Sequence, residues 1–509
     1  MNSGTRRWSG RAALVALAAL LLLTPAWGQS VAQLRAEVTS NPGSVVAWVA
    51  LGNAYYSQGE FELAKESYLE AIALDYSSGD AHYGLGLAEF SRGDFQAALF
   101  EFTEVTRLFP ERFDGQFNRG VTLARLRRPA DAAAAFAEAI AQAAPEASPA
   151  DRVQAQLGLA AQLELSEDWD GAAKAYAAAL ELEPANSDYV LRRGQALLRA
   201  GKGLEALPEL TALEASSGDY RVSALISDIY VSQGQIDYGI WSLERALQKA
   251  EKAADAAAQA STLVKLGTLQ AGLGRDSQAR DSFERAALVD PASWEAQYNL
   301  GVAYLEGGQT REALGALQTA QRLDPERAEV YLALATANDQ LANAVQALAN
   351  AREAIARLTD PALVTEARLI AGRALYRQGD FVGAAADLQA VLAERPNDAQ
   401  VQLWVGLAAY QQSDYQAAVR SFERAVQLNP GSVEARVNLG AAYLAAHRYE
   451  DAENVYQLLV GQNPADAESH YNLGWSLYSQ DRRGGARDAW VTSCQQGYQP
   501  ACSAISSYL

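Results

Sequence analysis

Small and apolar residues recur at a fixed interval through the last third of the chain. A glycine preceded by an apolar residue returns every 34 residues, at Gly372, Gly406, Gly440 and Gly474. An alanine lies twelve residues after each glycine and a bulky residue lies four beyond it: Ala384 with Leu388, Ala418 with Phe422, Ala452 with Tyr456 and Ala486 with Trp490. Prolines keep the same interval, at Pro396, Pro430 and Pro464. The pattern predicts a unit of two helices, ended by a proline because proline lacks a backbone N–H.

The recurring glycine predicts a close contact between the two helices of a unit. Glycine inside a helix costs about 1 kcal/mol relative to alanine, so its return at one position requires a packing reason. We expect the two backbones to approach there, with the small alanine of the second helix opposite the glycine. One such hairpin cannot bury its apolar face alone, and the units must therefore stack.

A 34-residue period of two short helices resembles the tetratricopeptide repeat. The same position recurs earlier in the chain, at Gly52, Gly86, Gly120, Ala160, Gly194, Ser227, Gly267, Gly301 and, in a degenerate unit, Ala335. The resemblance implies an all-α fold, a right-handed superhelical solenoid of about thirteen helical hairpins.

Three changes of register divide this array. The interval grows to 40 residues before Ala160 and before Gly267, and a smaller change precedes Gly372. The alanine-rich stretch Lys249–Ala260 carries the extra residues of the second change and predicts a lengthened second helix. We predict a leader at 1–28, an N-terminal capping segment at 29–44, blocks of three repeats at 45–144, 145–258 and 259–363, and four repeats with a C-terminal cap at 364–509.

The first 28 residues have the pattern of a secretory signal. Arg6, Arg7 and Arg11 precede an apolar run from Ala12 to Leu23. Ala26 and Gly28 on either side of Trp27 form a small-x-small pattern that suggests cleavage after Gly28. A retained membrane anchor is the alternative, although about 12 apolar residues fall short of the ~20 that span a bilayer. The pattern predicts an exported protein of the periplasm or cell envelope, or a secreted one.

Charge narrows the range of partners. The chain has a net charge of −19, and beyond residue 28 it carries 39 basic and 61 acidic residues, a net −22. Such a surface repels nucleic acid and anionic lipid headgroups, so neither is expected as a partner. After removal of the leader, no transmembrane segment is expected.

The sequence offers little catalytic chemistry. Its three histidines, His82, His447 and His470, do not have metal-ligand spacing, and there is no phosphate loop or nucleophile elbow. The stretch from Asp168 to Gly171 has the look of a calcium loop, but the later ligands are missing, and a turn with a helix N-cap is the preferred interpretation. We therefore expect no enzyme activity, no cofactor and no metal site.

The resemblance also implies a binding surface. In this family the first helix of each unit lines a concave groove through the residues three before, one after and four after the glycine position. The resulting candidates are Asn53, Tyr56, Tyr83, Leu87, Phe90, Leu403, Leu407, Tyr410, Tyr471, Trp475 and Tyr478. The middle of the array looks less aromatic, as with Leu191, Gln195 and Leu198. The aromatic residues either bind a protein segment or only pack between neighbouring helices.

The carboxy-terminal end departs from the repeat. Cys494 and Cys502 lie eight residues apart across a Gly-Tyr-Gln-Pro turn between two expected helices. Antiparallel helices at a short turn favour a disulfide in an exported protein, and the segment resembles the Sel1-like relatives of this family, in which cysteines recur across such a turn. Two free thiols are the alternative.

Repeat family, export signal and missing catalytic groups together predict a function. We expect a non-enzymatic scaffold that mediates protein–protein interactions in a cell-envelope assembly or secretion complex, with protein or peptide partners in the groove. The alternative is a binder of cell-envelope polysaccharide or peptidoglycan, since aromatic grooves also stack on sugar rings.

Overall fold

A computed structural model describes residues 30–142 and 147–508, and every regular element within those ranges is an α-helix. The predicted leader at 1–28 lies outside the described residues. The chain divides into two compact units after Ala246.

Thirteen of the described helices begin in the first unit. They are α1 (Val31–Ser40), α2 (Val45–Ser57), α3 (Phe61–Leu74), α4 (Gly79–Arg92), α5 (Phe95–Leu108), α6 (Phe113–Arg125), α7 (Pro129–Ala141), α8 (Pro149–Leu165), α9 (Trp169–Leu182), α10 (Ser187–Arg199), α11 (Gly203–Ser216), α12 (Tyr220–Ser232) and α13 (Ile236–Lys252).

Fifteen described helices begin in the second unit. They are α14 (Ala256–Gly272), α15 (Asp276–Val289), α16 (Trp294–Glu306), α17 (Thr310–Leu323), α18 (Ala328–Gln340), α19 (Ala344–Arg357), α20 (Pro361–Gln378), α21 (Phe381–Glu394), α22 (Ala399–Gln411), α23 (Tyr415–Leu428), α24 (Val433–Ala445), α25 (Tyr449–Gln462), α26 (Ala467–Tyr478), α27 (Arg483–Gln495) and α28 (Gln499–Tyr508).

These helices form the predicted hairpins. From α2 to α27 the described helices follow one another in thirteen pairs, in which the even-numbered helix comes first. The helix α1 precedes the first pair and α28 follows the last one. The all-α class and the repeated hairpin are therefore confirmed.

Short polar side chains cap many of the described helices at their first turn, and the recurring prolines of the last repeats lie just beyond the ends of second helices. Ser78 caps α4 by accepting a hydrogen bond from the N–H of Ala81, and Asp380 caps α21 by accepting one from Gly383. Such caps satisfy N–H groups that have no partner within the helix. At the other end, α23 stops at Leu428, two residues before Pro430.

The recurring glycine makes room for the bulky residue of the second helix. A Cβ built on Gly406 would lie 2.5 Å from the ring of Phe422, and one built on Gly440 would lie 2.7 Å from the ring of Tyr456. Gly301 faces Leu317 in the same way, at 2.6 Å. The expected approach of the alanine is seen at Gly301 and Gly372, where the built Cβ lies 3.4 Å from the carbonyl oxygens of Ala313 and Ala384. The nearest atoms, however, belong to the larger side chain four residues later, which fills the space beside the glycine.

The changes of register appear as longer helices. Among first helices, α8 and α14 have 17 residues and α20 has 18, whereas α16 and α18 have 13. The extra residues of the second change of register are divided between α13 and α14, because the second helix α13 also has 17 residues. The prediction of a lengthened second helix over Lys249–Ala260 was therefore only half right. The helix α13 is longer, but it ends at Lys252. Ala254 then takes a left-handed φ of 53°, and Asp255 caps the next helix, α14.

Two of the predicted block boundaries fall inside helices. The boundary after residue 258 lies within α14, which begins at Ala256, and the boundary after 363 lies within α20, which begins at Pro361. In both cases an aspartate N-cap, Asp255 or Asp360, starts the helix earlier than the repeat count suggested. The division into four blocks stays a prediction.

Candidate functional site

The first predicted groove residues lie on α2 and connect neighbouring helices. Asn53 Oδ1 accepts a 2.7 Å hydrogen bond from the hydroxyl of Tyr68 in the paired helix α3. The hydroxyl of Tyr56 lies 3.1 Å from Ser91 Oγ on α4, and its ring lies 5.4 Å from that of Phe61. Both side chains are only partly buried, so each combines a packing role with some accessible surface.

The next group, on α4, belongs mainly to the core. Tyr83 and Leu87 have exposed fractions of only 3% and 6%. The hydroxyl of Tyr83 accepts a 3.2 Å hydrogen bond from Asn118 of α6. Phe90 is partly buried and its ring packs 5.2 Å from that of Phe95. The burial of Tyr83 and Leu87 favours the packing alternative at these two positions, and the groove itself stays a prediction.

The candidates on α22 divide in the same way. Leu403 is 3% exposed and lies in the core of the second unit, while Leu407 and Tyr410 pack partly buried against that core. The ring of Tyr410 lies 5.3 Å from that of Tyr415 on α23. Burial raises the pKa of the Tyr410 phenol. Only Leu407 and Tyr410 keep accessible surface here.

Tyr471, Trp475 and Tyr478 form an aromatic cluster with the last helix. The ring of Trp475 lies 5.2 Å from Trp490 of α27 and 5.1 Å from Tyr508 of α28. Tyr478 also contacts Tyr508, at 5.5 Å. The chain's own terminal helix therefore covers part of the surface that the sequence assigned to a partner.

A disulfide joins α27 to α28 beside this cluster. It connects Cys494 with Cys502, whose Cα atoms are 4.9 Å apart. The turn between the helices contains Gly497 with a φ of 91°, a left-handed conformation that favours glycine. The bond ties the helix α28 to the last hairpin.

The stretch from Asp168 to Gly171 is a helix start. Asp168 caps α9 by accepting a 2.9 Å hydrogen bond from the N–H of Gly171. Asp170 accepts hydrogen bonds from Lys174 and Lys202, which lower its pKa to about 2. The turn and N-cap interpretation is confirmed.

An open pocket of the second unit lies in the middle of the array, at positions that the sequence analysis did not include among the groove candidates. Its volume is about 350 Å³, and it is formed by three successive first helices, α16, α18 and α20. We call it the α16–α18–α20 pocket. Its lining is Tyr298, Val302, Leu305, Glu306, Glu329, Leu332, Ala333, Thr336, Gln340 and Leu363.

The groove positions defined relative to the repeat glycine also predict this pocket. Tyr298, Val302 and Leu305 lie three before, one after and four after Gly301, and Leu332 and Thr336 hold the first two of these positions around Ala335. The signal was missed because Leu191, Gln195 and Leu198, which belong to a single unit, do not represent the whole middle of the array.

The pocket has an apolar floor and an acidic edge. Val302, Leu305 and Leu332 are partly buried, whereas Glu306 and Glu329 are exposed. Burial raises the pKa of the Tyr298 phenol, and the two carboxylates raise it further. Apolar walls with a few directed polar groups are typical of binding pockets, whose volumes run from about 300 to 1,000 Å³.

Family profiles match this repeated architecture along most of the array. One profile described as tetratricopeptide repeat matches residues 49–102, 93–148, 164–220, 264–328 and 370–433, and a second matches 409–474. Together they cover more than half of the chain.

The chain belongs to the tetratricopeptide repeat family. Tetratricopeptide repeat proteins generally mediate protein–protein interactions. The glycine, alanine and bulky positions described above are thus the tetratricopeptide repeat pattern.

Individual relatives are more distant. A stretch of 177 residues is 25% identical to DnaJ homolog subfamily C member 3 of Mus musculus, and covers 32% of this chain and 34% of that protein. The match therefore spans about a third of that relative.

Three solved structures that are similar to this chain are also distant in sequence. Naa15/Naa10 bound to HypK-THB matches at 13% identity over 91% of this chain and 78% of that one, with a TM-score of 0.43. The APC/C hetero-tetramer Cut9-Hcn1 matches at 14% identity over 93% and 97%, with a TM-score of 0.36. YrrB, a TPR protein with an unusual peptide-binding site, matches at 21% identity over 38% and 95%, with a TM-score of 0.34.

The tetratricopeptide repeats also place a charged cluster on the first helices α18 and α20. Asp339 is 6% exposed and pairs with Arg373, at 3.0 Å, and with Arg377. The guanidinium of Arg373 lies 5.5 Å from the ring centroid of Trp404 on α22. Asp339 follows Thr336 of the pocket by one helical turn. Its charge is compensated by these two arginines, whereas Glu306 and Glu329 form no ion pair with any residue that the structure describes.

None of the helices in residues 30–142 and 147–508 is long and apolar enough to cross a bilayer.

Proposed function

We propose that this protein is a non-enzymatic scaffold that binds segments of partner proteins in the α16–α18–α20 pocket. The observation that carries the proposal is the partly open apolar pocket built by three successive first helices. Val302, Leu305 and Leu332 offer apolar surface that remains accessible, whereas Tyr83 and Leu87 in equivalent places are buried. Apolar surface left open in a folded chain is a common feature of interaction sites.

The proposal extends to the cell envelope. An export signal over residues 1–28 would bring the scaffold to the periplasm or outer surface, where assembly and secretion complexes need non-catalytic organisers. The disulfide between Cys494 and Cys502 fits an oxidising compartment. Amino-terminal sequencing of the protein recovered from fractionated cells tests this: a chain that begins at Gln29 outside the cytoplasm is expected, and an uncleaved leader would instead mean a membrane anchor.

Site-specific photo-crosslinking tests the binding surface. A photoreactive benzoylphenylalanine replaces Val302 in the pocket and, as a matched control, exposed Glu312 on the second helix α17. After irradiation in the native envelope, mass spectrometry identifies the adducts. Protein adducts at position 302 and few at 312 are expected.

Two outcomes would overturn the proposal. Adducts at equal yield from both positions would show that the pocket has no special role. Recovery of glycan at position 302, without protein, would favour the polysaccharide or peptidoglycan alternative. Sugar stacking on the carboxy-terminal cluster is the weaker alternative, because Tyr508 covers part of Trp475 and Tyr478.

A further inference from the structure

Two exposed carboxylates lie at the edge of the α16–α18–α20 pocket. Glu306 ends α16 and Glu329 lies in the first turn of α18, and both line the pocket. Within the part of the chain that the structure describes, neither forms an ion pair, and both are exposed. Tyr298 lines the same pocket, so the phenol and the two carboxylates surround one space.

Another acidic residue of α18, the helix that carries Glu329, has a different environment. Asp339 is buried and paired with Arg373 and Arg377. The fold therefore neutralises the carboxylate that it buries and leaves those of the pocket edge in solvent. A ligand that enters beside Glu306 and Glu329 meets uncompensated negative charge.

We propose, building on the function proposed above, that the pocket takes a basic peptide segment: an apolar side chain enters between Val302, Leu305 and Leu332, and an adjacent lysine or arginine pairs with Glu306 or Glu329. The apolar lining supplies contact area, and the two carboxylates select the charge of the flanking residues. An acidic segment would bring like charges together at this edge. A second copy of this chain, at net −19, is disfavoured for the same reason.

Three fluorescein-labelled synthetic peptides of equal length test this with the full chain. The first has a central leucine flanked by lysines, the second has glutamates in place of the lysines, and the third has alanine in place of the leucine. Fluorescence anisotropy gives the Kd of each at about 0.1 M and about 1 M salt, between which the Debye length falls from ~10 to ~3 Å. The lysine–leucine peptide should bind most tightly and lose affinity at high salt.

Variants then assign the preference to residues. The double variant Glu306→Gln and Glu329→Gln should weaken the lysine–leucine peptide about three- to tenfold, the range for two exposed ion pairs, and leave the glutamate peptide unweakened. Glu312→Gln, an exposed acid on α17 outside the pocket, is the matched control and should change nothing. Val302→Phe fills the pocket and should weaken every leucine-containing peptide. Circular dichroism melts confirm that each variant folds.

The outcomes separate this inference from the function on which it rests. If the glutamate peptide binds as tightly as the lysine peptide and Val302→Phe abolishes both, the pocket is a binding site and the basic preference is wrong. If the alanine peptide binds as well as the leucine peptide, the apolar anchor is wrong. If none of the three peptides binds, both the inference and the pocket proposal are wrong.

Discussion

The imidazole of His82 lies 2.6 Å from the carboxylate of Glu101, through Nδ1, and its Nε2 lies 3.0 Å from the carbonyl oxygen of Tyr76. Both partners accept hydrogen bonds, so the ring satisfies both only when each nitrogen carries a hydrogen. Burial by itself lowers the pKa of His82, which is 1% exposed, but the Glu101 carboxylate and the Tyr76 carbonyl outweigh it. The negative charge of Glu104 adds to this, and the pKa is raised.

The first prediction concerns pH. Because the folded pKa of His82 is raised above the unfolded value of about 6.5, its stabilisation is complete below about pH 6.5 and is lost as the pH rises through the folded pKa. His82→Gln should therefore lower the free energy of unfolding most at low pH, by about 1–3 kcal/mol, the range for losing hydrogen bonds to a charged group. Urea unfolding between about pH 5 and pH 9 measures this. The exposed His447→Gln is the control, and a pH-independent difference for His82→Gln would contradict the prediction.

The second prediction concerns the glycine position. At Gly406 even alanine brings a Cβ to 2.5 Å from Phe422, and leucine requires the ring to move. Gly406→Leu should lower the free energy of unfolding by about 1–3 kcal/mol, the usual cost of overpacking. Gly461, in the helix α25, has nothing within 4 Å of a built Cβ, so Gly461→Ala should instead stabilise by about 0.5–1 kcal/mol. Equal denaturant midpoints for Gly406→Leu and the parent protein would show that the close contact with Phe422 does not restrict the side chain at position 406.

The third prediction compares two buried tyrosines at equivalent positions. Tyr68 donates to Asn53 at 2.7 Å, whereas the hydroxyl of Tyr456 has no hydrogen-bond partner among the described residues. Tyr68→Phe should therefore cost about 0.5–1.5 kcal/mol, while Tyr456→Phe should leave stability unchanged or raise it, because an unsatisfied buried hydroxyl is removed. Thermal melts of the two variants give the comparison. Equal destabilisation by both changes would mean that Tyr456 makes a hydrogen bond after all.

The fourth prediction concerns Trp475. Its contacts with Trp490 and Tyr508 indicate a structural role, so Trp475→Ala should lower the melting temperature and cost ~2 kcal/mol or more. Partner affinity per folded molecule should stay as in the parent protein, whereas Val302→Phe should reduce it while the melt is preserved. A melting curve and a pull-down on both variants measure stability and partner binding separately. Lost binding with a preserved melt for Trp475→Ala would make the carboxy-terminal cluster a binding site.

Some of the site was predictable from the sequence and some was not. Tyr83 and Tyr298 both lie three residues before a glycine of the repeat, and Leu87 and Val302 both lie one residue after it. Tyr83 and Leu87 are nonetheless buried, while Tyr298 and Val302 line a pocket. The spacing from the repeat glycine predicts which face of the first helix a residue occupies. Whether that face is accessible or buried depends on the side chains that pack against it from neighbouring helices.

The sequence by itself determined the hairpin, its period and its number. A glycine, an alanine and a bulky residue at fixed spacings, with a proline near the end, specify two short helices wherever they recur, because helix periodicity and termination are local properties. Tertiary structure alone decided that Phe422 fills the space at Gly406, and that the terminal helix places Tyr508 against Trp475. It also decided that Glu329 is exposed and forms no ion pair among the described residues, while Asp339 is buried and pairs with two arginines. These outcomes depend on which side chains from separate helices reach the same space, and spacing along the chain does not contain that information.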